Sequence, residues 1–279
     1  MSENEKNLDN RVIAGFGEEW SRFSQSDLSG ADGAAMFDAY FSIFRWSAIP
    51  ESAVGADIGS GSGRWAAFMA PKVGHLHLIE PSPAALEVSR QNLIGATNVS
   101  FHNAVVGDLP VADASLDFAY SLGVLHHVPD TLKEIKSIGI KLKPGAPFLV
   151  YLYYAFDNRP AWFKLLWRLS DVFRLAISRL PATLRYWTCD LIAAMVYWPL
   201  ARIALFLDHF GVMPQSWPLA AYRSRSFYVL RTDALDRFGT RLEQRFTKAE
   251  ITDMLTEAGF SNIEFSNSPP FWTAVASKR

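Results

Sequence analysis

The stretch VGADIGSGSGRW, residues 54–65, constrains the fold more than any other part of the chain, because a glycine-rich turn follows directly on a short apolar run. A turn of this kind usually holds a nucleotide-like ligand. In the dinucleotide pattern G-x-G-x-x-G the third glycine lets a helix pack close to the strand. Here the third glycine, Gly63, comes one residue early, and Arg64 stands at the expected position.

An acid before the first glycine narrows the choice of ligand. Asp57 precedes Gly59 in the pattern acid-x-Gly-x-Gly-x-Gly. A pyrophosphate needs free N–H groups at a helix N-terminus with no carboxylate beside it. The sequence therefore favours a ligand with a cationic ammonium and sulfonium over a dinucleotide.

Short apolar runs alternate with helical patterns through the first half of the chain. This alternation predicts parallel βαβ units and an α/β fold with a doubly wound, mainly parallel sheet. The predicted strands are Val54–Ile58, His75–Glu80, Val99–Val105, Leu116–Leu122 and Pro147–Tyr153. The predicted helices between them are Arg64–Ala70, Ala84–Leu93 and Asp130–Leu142.

Glu80 is the second candidate ligand contact. It ends the second predicted strand, and Pro81 and a new helix follow it. A carboxylate in this position can accept hydrogen bonds from both hydroxyls of a ribose. The alternative is a neighbour of a helix N-cap or a solvated strand end, which the glycine turn upstream makes less favoured.

Composition excludes several classes of function. The net charge of −1 gives no overall attraction to nucleic acid. Cys189 is the one cysteine, so the chain has no internal disulfide and no cysteine-based zinc site. The histidines show no recognisable metal-ligand spacing, and no metal is expected. The polar start, MSENEKNLDN, lacks the apolar run of a secretory signal, and we expect a cytoplasmic protein.

Four ordered segments resemble the class I S-adenosylmethionine-dependent methyltransferases: DIGSGSG, LHLIEPS, FHNAVVGDLPVADASLDFAYSLGVLHHVPD and LKPGAPFLVYLYY. The resemblance covers roughly residues 54–154 and resumes near Thr247 with TKAEITDMLTEAGFSNIEF. It implies a Rossmann-like sheet of seven strands, the last antiparallel, with Asn262–Phe265 and Phe271–Ser277 as the closing pair. Thr247 to Glu250 reads as a helix capping box and Gly259 as the stop of that helix.

The resemblance also implies S-adenosylmethionine as the cofactor and assigns its contacts. Residues 59–63 would surround the methionine end, with Asp57 beneath it, and Glu80 would hold the ribose. Asn103 and Ala104 would flank the adenine, and Ser121 and Leu122 would border the methyl-transfer site. An adenine contact from Asp108 stays open. The full set of predicted cofactor contacts is Asp57, Gly59, Ser60, Gly61, Gly63, Glu80, Pro81, Asn103, Ala104, Ser121 and Leu122.

His126 and His127, just past the fourth strand, are the candidate catalytic bases if the methyl acceptor is a hydroxyl. The alternative is structural, because a histidine at the start of a helix can hydrogen-bond the backbone. Tyr228, Arg231 and Arg237 are candidate acceptor contacts in a charged stretch, and a solvated connector is the common alternative for such a stretch.

Residues 157–208 carry seven Lys/Arg and four Asp among long apolar runs. Lys164, Arg168, Asp171, Arg174 and Ser178 recur at helical spacings and form a polar stripe. We expect a helical cap that buries its tryptophans; the open alternative is peripheral membrane contact, with Lys164, Arg168 and Arg174 facing outward. Pro199 interrupts the most apolar run, which argues against a membrane span.

The sequence thus predicts an N-terminal helical lid (1–50), a cofactor-binding α/β core (51–155), a helical insertion or cap (156–228) and the C-terminal part of the core (229–279). The expected function is methyl transfer from S-adenosylmethionine to a small, partly hydrophobic molecule. The alternative is a non-catalytic cofactor-binding protein that docks on a membrane or partner through the insertion. Nucleic acid is not an expected partner, and homo-oligomerisation stays open.

Overall fold

The chain forms two compact units in the structure, a computed structural model that describes residues 7, 9–25, 28, 30–212 and 216–279. The first unit is Met1–Ser26, Gly33–Ala155 and Leu242–Arg279, and the second is Asp27–Asp32 and Phe156–Arg241. The second unit thus contains the predicted insertion but extends to Arg241, past the predicted end at 228. Of the predicted lid, residues 1–6, 8, 26, 27 and 29 lie outside the described residues.

A seven-stranded sheet organises the first unit, as predicted. Its strand order is β3-β2-β1-β4-β5-β7-β6, and only β7 runs antiparallel to its neighbours. The strands are β1 (Val54–Ile58), β2 (His75–Ile79), β3 (Val99–His102), β4 (Phe118–Leu122), β5 (Pro147–Tyr151), β6 (Phe260–Phe265) and β7 (Thr273–Lys278). The carboxyl ends of β1, β2 and β4 therefore meet at one edge, where ligands bind in sheets of this kind.

Ten α-helices are described. In the first part of the chain they are α1 (Asn10–Arg22), α2 (Gly30–Phe41), α3 (Ala66–Met69), α4 (Pro83–Asn92) and α5 (Thr131–Lys141). The others are α6 (Ala161–Ile177), α7 (Ala182–Ile192), α8 (Trp198–His209), α9 (Phe227–Gly239) and α10 (Lys248–Glu257). The capping box that begins α10 is present, with Thr247 and Glu250 bonded in both directions, and Gly259 follows its end with a φ of +83°.

Apolar side chains cover both faces of the sheet. Because successive residues of a strand point to opposite faces, Phe118 and Tyr120 pack in one buried cluster and Ala119 in the other. Phe37 and Phe41 of α2 belong to the first of these clusters, and the ring of Phe41 lies 5.2 Å from that of Tyr120. Part of the predicted lid is therefore core, which fixes the strands that carry the site.

The second unit is helical and packs around α9. Its tryptophans were expected to be buried, but Trp162, Trp187 and Trp198 are 52%, 72% and 37% exposed. The outward stripe of the membrane alternative is present only in part: Arg168 is exposed, whereas Arg174 is buried and Lys164 is partly buried. The periodicity was read correctly, but the polar side of α6 faces the protein and the apolar side faces outward.

Pro199 does not interrupt the apolar run as the sequence suggested. Helices α7 and α8 are joined by a π-helical turn, Ala193–Tyr197, in which the N–H of Trp198 donates to the carbonyl of Ala193, five residues earlier. This wider turn accommodates the ring of Pro199, which would otherwise clash with the preceding turn. Within the described residues, one helix is long and apolar enough to cross a membrane: Ala182–His209, which has 28 residues and contains an 18-residue segment with a mean hydropathy of 1.6.

Gly55 in β1 tests how tightly this core is packed. An added Cβ would lie 2.1 Å from the buried ring of Phe118. We expect Gly55→Ala to lower the free energy of unfolding by about 1–3 kcal/mol, measured by urea denaturation, because a packed core does not accept extra atoms. Gly15→Ala in α1 is the control: its Cβ would meet no atom within 4 Å. A loss from Gly15→Ala as large as that from Gly55→Ala would contradict the packing explanation.

Candidate active site

The glycine turn after β1 adopts a conformation that requires glycine. Gly59, Gly61 and Gly63 have φ values of +75°, +53° and +74°. Neighbouring side chains also approach each of them: a Cβ would lie 2.5 Å from Val124 at Gly59, 2.8 Å from Trp20 Nε1 at Gly61 and 2.8 Å from Ser89 Oγ at Gly63. The turn can therefore bring its backbone close to a ligand, which side chains at these positions would prevent.

Glu80 fastens this turn to the end of β2. One carboxylate oxygen accepts the N–H of Gly61 at 3.0 Å, and the other accepts the N–H of Ser82 at 2.9 Å. Glu80 is buried, and burial raises the pKa of its carboxyl to about 7, against the opposing effect of these two hydrogen bonds. The residue predicted to hold a ribose thus also sets the shape of the glycine turn.

Asp57 is buried in β1, two residues before the glycine turn. Tyr120 Oη donates to Asp57 Oδ2 at 3.0 Å from the neighbouring strand β4. Burial raises the pKa of Asp57 to about 8, and the hydrogen bond from Tyr120 opposes part of that rise. Two buried carboxyls that repel each other, Asp57 and Glu80, favour a ligand that brings positive charge.

The remaining predicted cofactor contacts lie around these two acids. The side-chain amide of Asn103 donates to the carbonyls of Glu80 and Pro81, at 3.0 and 2.9 Å, so it holds the β2–α4 turn. Ser121 is buried and donates to the carbonyl of Ile58 at 3.0 Å, which joins the ends of β4 and β1. Leu122 is buried beside it, and Ala104 is partly buried against the core. Their contacts with a cofactor stay predictions.

The two histidines differ in which ring nitrogen carries the hydrogen. They lie in a 3₁₀ turn, Leu125–His127, soon after β4. His127 Nδ1 lies 2.6 Å from the carbonyl of Leu242, so this nitrogen carries the hydrogen and Nε2 is the basic nitrogen. His126 Nδ1 instead accepts the N–H of Tyr153 at 3.4 Å, and burial lowers the pKa of His126 well below its usual value. A role for either histidine as the catalytic base stays a prediction.

The predicted acceptor contacts lie in the second unit, where acids of that unit engage the arginines. Arg231 forms two hydrogen bonds with Asp190, at 2.9 and 3.0 Å. Arg237 donates to Asp171 and to Ser170 Oγ, each at 3.3 Å. Tyr228 is partly buried in the same helix, α9. A role for these three residues in binding the acceptor stays a prediction.

Sequence reasoning did not assign individual contacts to α1, whose aromatic side chains reach the site. Trp20 lies against Gly61, and the ring of Phe16 is 4.9 Å from that of His127. Gly17 packs so closely on Ser82 that a Cβ would lie 2.4 Å from its hydroxyl. The aromatic pattern GFGEEWSRF is the signal that could have identified these contacts. Helix α1 thus lies against the glycine turn and His127, and its role as a lid stays a prediction.

Two unpartnered hydroxyls indicate that the turn is built for a ligand. Ser60 Oγ and Ser62 Oγ are buried, and neither has a hydrogen-bond partner among the described residues. A buried hydroxyl without a partner costs about 1–3 kcal/mol, a cost that a polar ligand would remove. A cofactor with an ammonium, a sulfonium and ribose hydroxyls fits this set of donors and acids. Within the described part of the chain, no group of three or more His, Cys, Asp or Glu side chains could hold a metal ion.

A comparison with known families now identifies this region. A family model described as a methyltransferase domain matches residues 56–150, from β1 to β5. Residues 56–150 match this family of methyltransferase domains, and the seven-stranded sheet that they help to form has the class I methyltransferase fold. The matched residues include the glycine turn, Glu80 and both histidines of this domain, whereas the helical second unit lies outside the match.

A curated relative supports the same assignment. The O-methyltransferase resE of Aspergillus sclerotiorum is 33% identical over 94 residues, which are 32% of this chain and 36% of that protein. The chain therefore matches little more than a third of the length of this methyltransferase. The likeness concerns the methyltransferase domain and leaves the methyl acceptor open.

Solved structures of methyltransferases are similar to this chain. A chain from the complex between the Haloferax volcanii Trm112 methyltransferase activator and its methyltransferase has a TM-score of 0.50 and 15% identity, covering 94% of this chain and 96% of that chain. A methyltransferase from Methanosarcina mazei has a TM-score of 0.49 and 17% identity, covering 83% of this chain and 95% of that chain.

The two buried acids predict how stability depends on pH. The pKa is raised from 4.5 to about 7 for Glu80 and from 3.8 to about 8 for Asp57, so the folded protein binds protons more tightly than the unfolded chain. Their protonation therefore stabilises the ligand-free protein at low pH, and that stability is lost as the pH rises from the ordinary pKa values of 4.5 and 3.8 to about 7 for Glu80 and about 8 for Asp57.

We expect the free energy of unfolding, measured by urea denaturation, to fall across this range, and Asp57→Asn with Glu80→Gln to flatten the slope. Glu87→Gln, an exposed substitution on α4, is the control. An unchanged slope in the double variant would contradict the account of these acids.

Proposed function

We propose that the protein transfers a methyl group from S-adenosylmethionine to a small, partly hydrophobic molecule. The observation that carries this proposal is the pair of buried acids, Asp57 and Glu80, on either side of a glycine turn that leaves two serine hydroxyls unpartnered. The positive charge of the cofactor would favour the ionised, negatively charged form of these two acids. A dinucleotide, with its negatively charged pyrophosphate, would meet two carboxyls instead.

The residues of the turn would hold the cofactor without doing chemistry on it. Asp57 would attract the methionine end, Ser60 and Ser62 would donate to it, and Glu80 would accept hydrogen bonds from the ribose. Each oxygen of Glu80 accepts one backbone N–H and keeps further acceptor capacity for a hydroxyl. When bound, S-adenosylmethionine supplies an already activated methyl group, so the task of the protein is to orient the acceptor and exclude water. Trp20 and Phe16 of α1 serve to exclude water.

His127 would take the proton of the acceptor if the acceptor is a hydroxyl. The carbonyl of Leu242 accepts from Nδ1 and so fixes the tautomer in which Nε2 is the basic nitrogen. His126 would position the turn, because its ring stacks on Tyr153 with centroids 3.8 Å apart. The identity of resE as an O-methyltransferase is consistent with a hydroxyl acceptor. The proposed compartment is the cytoplasm.

The alternative is a cofactor-binding protein without catalysis, and turnover distinguishes the two. We expect S-adenosylhomocysteine to form when the protein is incubated with S-adenosylmethionine and a panel of apolar phenols, carboxylic acids and amines. Binding of the cofactor by calorimetry, with no product from any member of a broad panel, would support the non-catalytic alternative.

Glu80→Ala should weaken binding of S-adenosylhomocysteine by about 1.5–3 kcal/mol, the range for hydrogen bonds to a charged group. Isothermal titration calorimetry measures this change, and far-UV circular dichroism checks that the variant folds. Glu87→Ala is the matched control, since its carboxylate is exposed on α4. Equal affinity in Glu80→Ala and wild type would remove Glu80 from the cofactor site.

His127→Ala should slow turnover by roughly a hundredfold and leave cofactor affinity unchanged, if a hydroxyl is the acceptor. His126→Ala serves as the comparison, because the basic nitrogen of His126 already accepts a backbone N–H. We expect its effect on turnover to be smaller. A greater loss in His126→Ala than in His127→Ala would reverse the assignment of the base.

A further inference from the structure

Helix α6 exposes most of its large apolar side chains and buries a charged one. Its buried side includes Ile177 but also a charged residue: Arg174, only 5% exposed, donates to Asp171 and to the carbonyls of Thr240 and Arg241 at 2.5, 3.0 and 3.2 Å. Its outward side is apolar, with exposed fractions between 48% and 65% for Trp162, Leu165, Leu166, Leu169, Val172 and Phe173. A helix in water normally presents the opposite arrangement.

The continuous helix formed by α7, the π turn and α8 shows the same polarity. The residues that it buries are small or carry a polar atom: Cys189, Ala193, Tyr197, Ala201 and Ala204. Those that it exposes are large and apolar, including Trp187 at 72%, Met195 at 69% and Phe206 at 63%. Small residues on the packed side and large ones outside are typical of helices whose surroundings are lipid.

This exposure is concentrated in one part of the protein. Among the described residues, all of the exposed large apolar side chains except Trp46, Ile94 and Ile140 lie in residues 156–241. A soluble monomer rarely exposes large apolar patches without a partner for them. The outward faces of α6 and of α7–α8, both in contact with α9, therefore call for an occupant.

The net charge of residues 156–241 indicates what kind of surface could cover these apolar faces. Residues 156–241 contain 12 Lys/Arg and six Asp, a net charge of +6 in a chain whose net charge is −1. Arg168 and Arg179 are exposed on α6 and at its end. An anionic lipid surface complements this charge. A second copy of the chain would bring the same positive charge against itself, which repels.

We propose that the outward faces of α6 and α7–α8 insert into the interfacial region of an anionic lipid bilayer. The exposed tryptophans suit that region, since the indole ring favours the boundary between headgroups and acyl chains. Insertion parallel to the surface fits better than a span, because Asp190 in the long helix is paired with Arg231 of α9 on its packed side. The surface stands independently of methyl transfer.

Vesicle flotation tests the proposal with the full-length protein. We expect wild type to float with vesicles of phosphatidylcholine and phosphatidylglycerol, and binding to weaken with vesicles of phosphatidylcholine alone or in high salt. Trp162→Gln, Trp187→Gln and Phe206→Gln together should reduce the bound fraction at least tenfold. The control is Ile94→Gln with Ile140→Gln, two exposed apolar residues of the first unit, which should leave binding unchanged.

A second variant keeps the test decisive if the triple variant fails to fold by circular dichroism. Arg168→Gln with Arg179→Gln retains the apolar faces and should weaken binding to anionic vesicles by roughly fivefold per charge. Failure of wild type to bind either kind of vesicle would overturn the proposal. So would a dimer in analytical ultracentrifugation that the triple variant dissociates, because the faces would then bind a second copy.

Discussion

The carboxylate of Glu80 links the glycine turn to the end of β2, and the candidate site depends on this link. It accepts the N–H groups of Gly61 and Ser82, so one buried side chain fixes the loop after β1 and the start of α4. The turn then takes positive φ values at Gly59, Gly61 and Gly63, which glycine adopts readily. Burial disfavours the ionised form of an acid and so raises its pKa. A cationic ligand bound nearby would offset this effect, which makes such an acid a candidate for a ligand site.

The parts of the site that the sequence predicted are those set by local pattern. Asp57 lies near the end of β1, and the glycine turn and Glu80 directly follow β1 and β2. These apolar runs are short and bounded, so the positions at one sheet edge follow from the βαβ order. Tyr120 could not be predicted as the partner of Asp57. That contact depends on β4 lying beside β1 with Asp57 opposite Tyr120, which no local pattern specifies. The different tautomers of His126 and His127 depend in the same way on Tyr153 and Leu242.

The second unit shows what helical periodicity leaves undetermined. The spacing of Lys164, Asp171, Arg174 and Ser178 correctly indicates one polar face on α6. Periodicity does not say which face meets solvent, however, and Asp171 and Arg174 form ion pairs within the unit instead. The chain therefore combines an α/β unit with an apolar interior and a helical unit whose exterior is the apolar side. This contrast is a physical reason to expect different surroundings for the two.

A crystal structure with S-adenosylhomocysteine tests the central claim most directly, since the distances around Glu80 decide whether this turn is the cofactor site. We predict that both ribose hydroxyls lie within hydrogen-bond distance of the Glu80 carboxylate and that the amino-acid end lies against residues 59–63 and above Asp57. Unpartnered hydroxyls of Ser60 or Ser62 should gain a polar contact with the ligand. Density for the ligand at another place, with Glu80 still contacting only Gly61 and Ser82, would contradict the account.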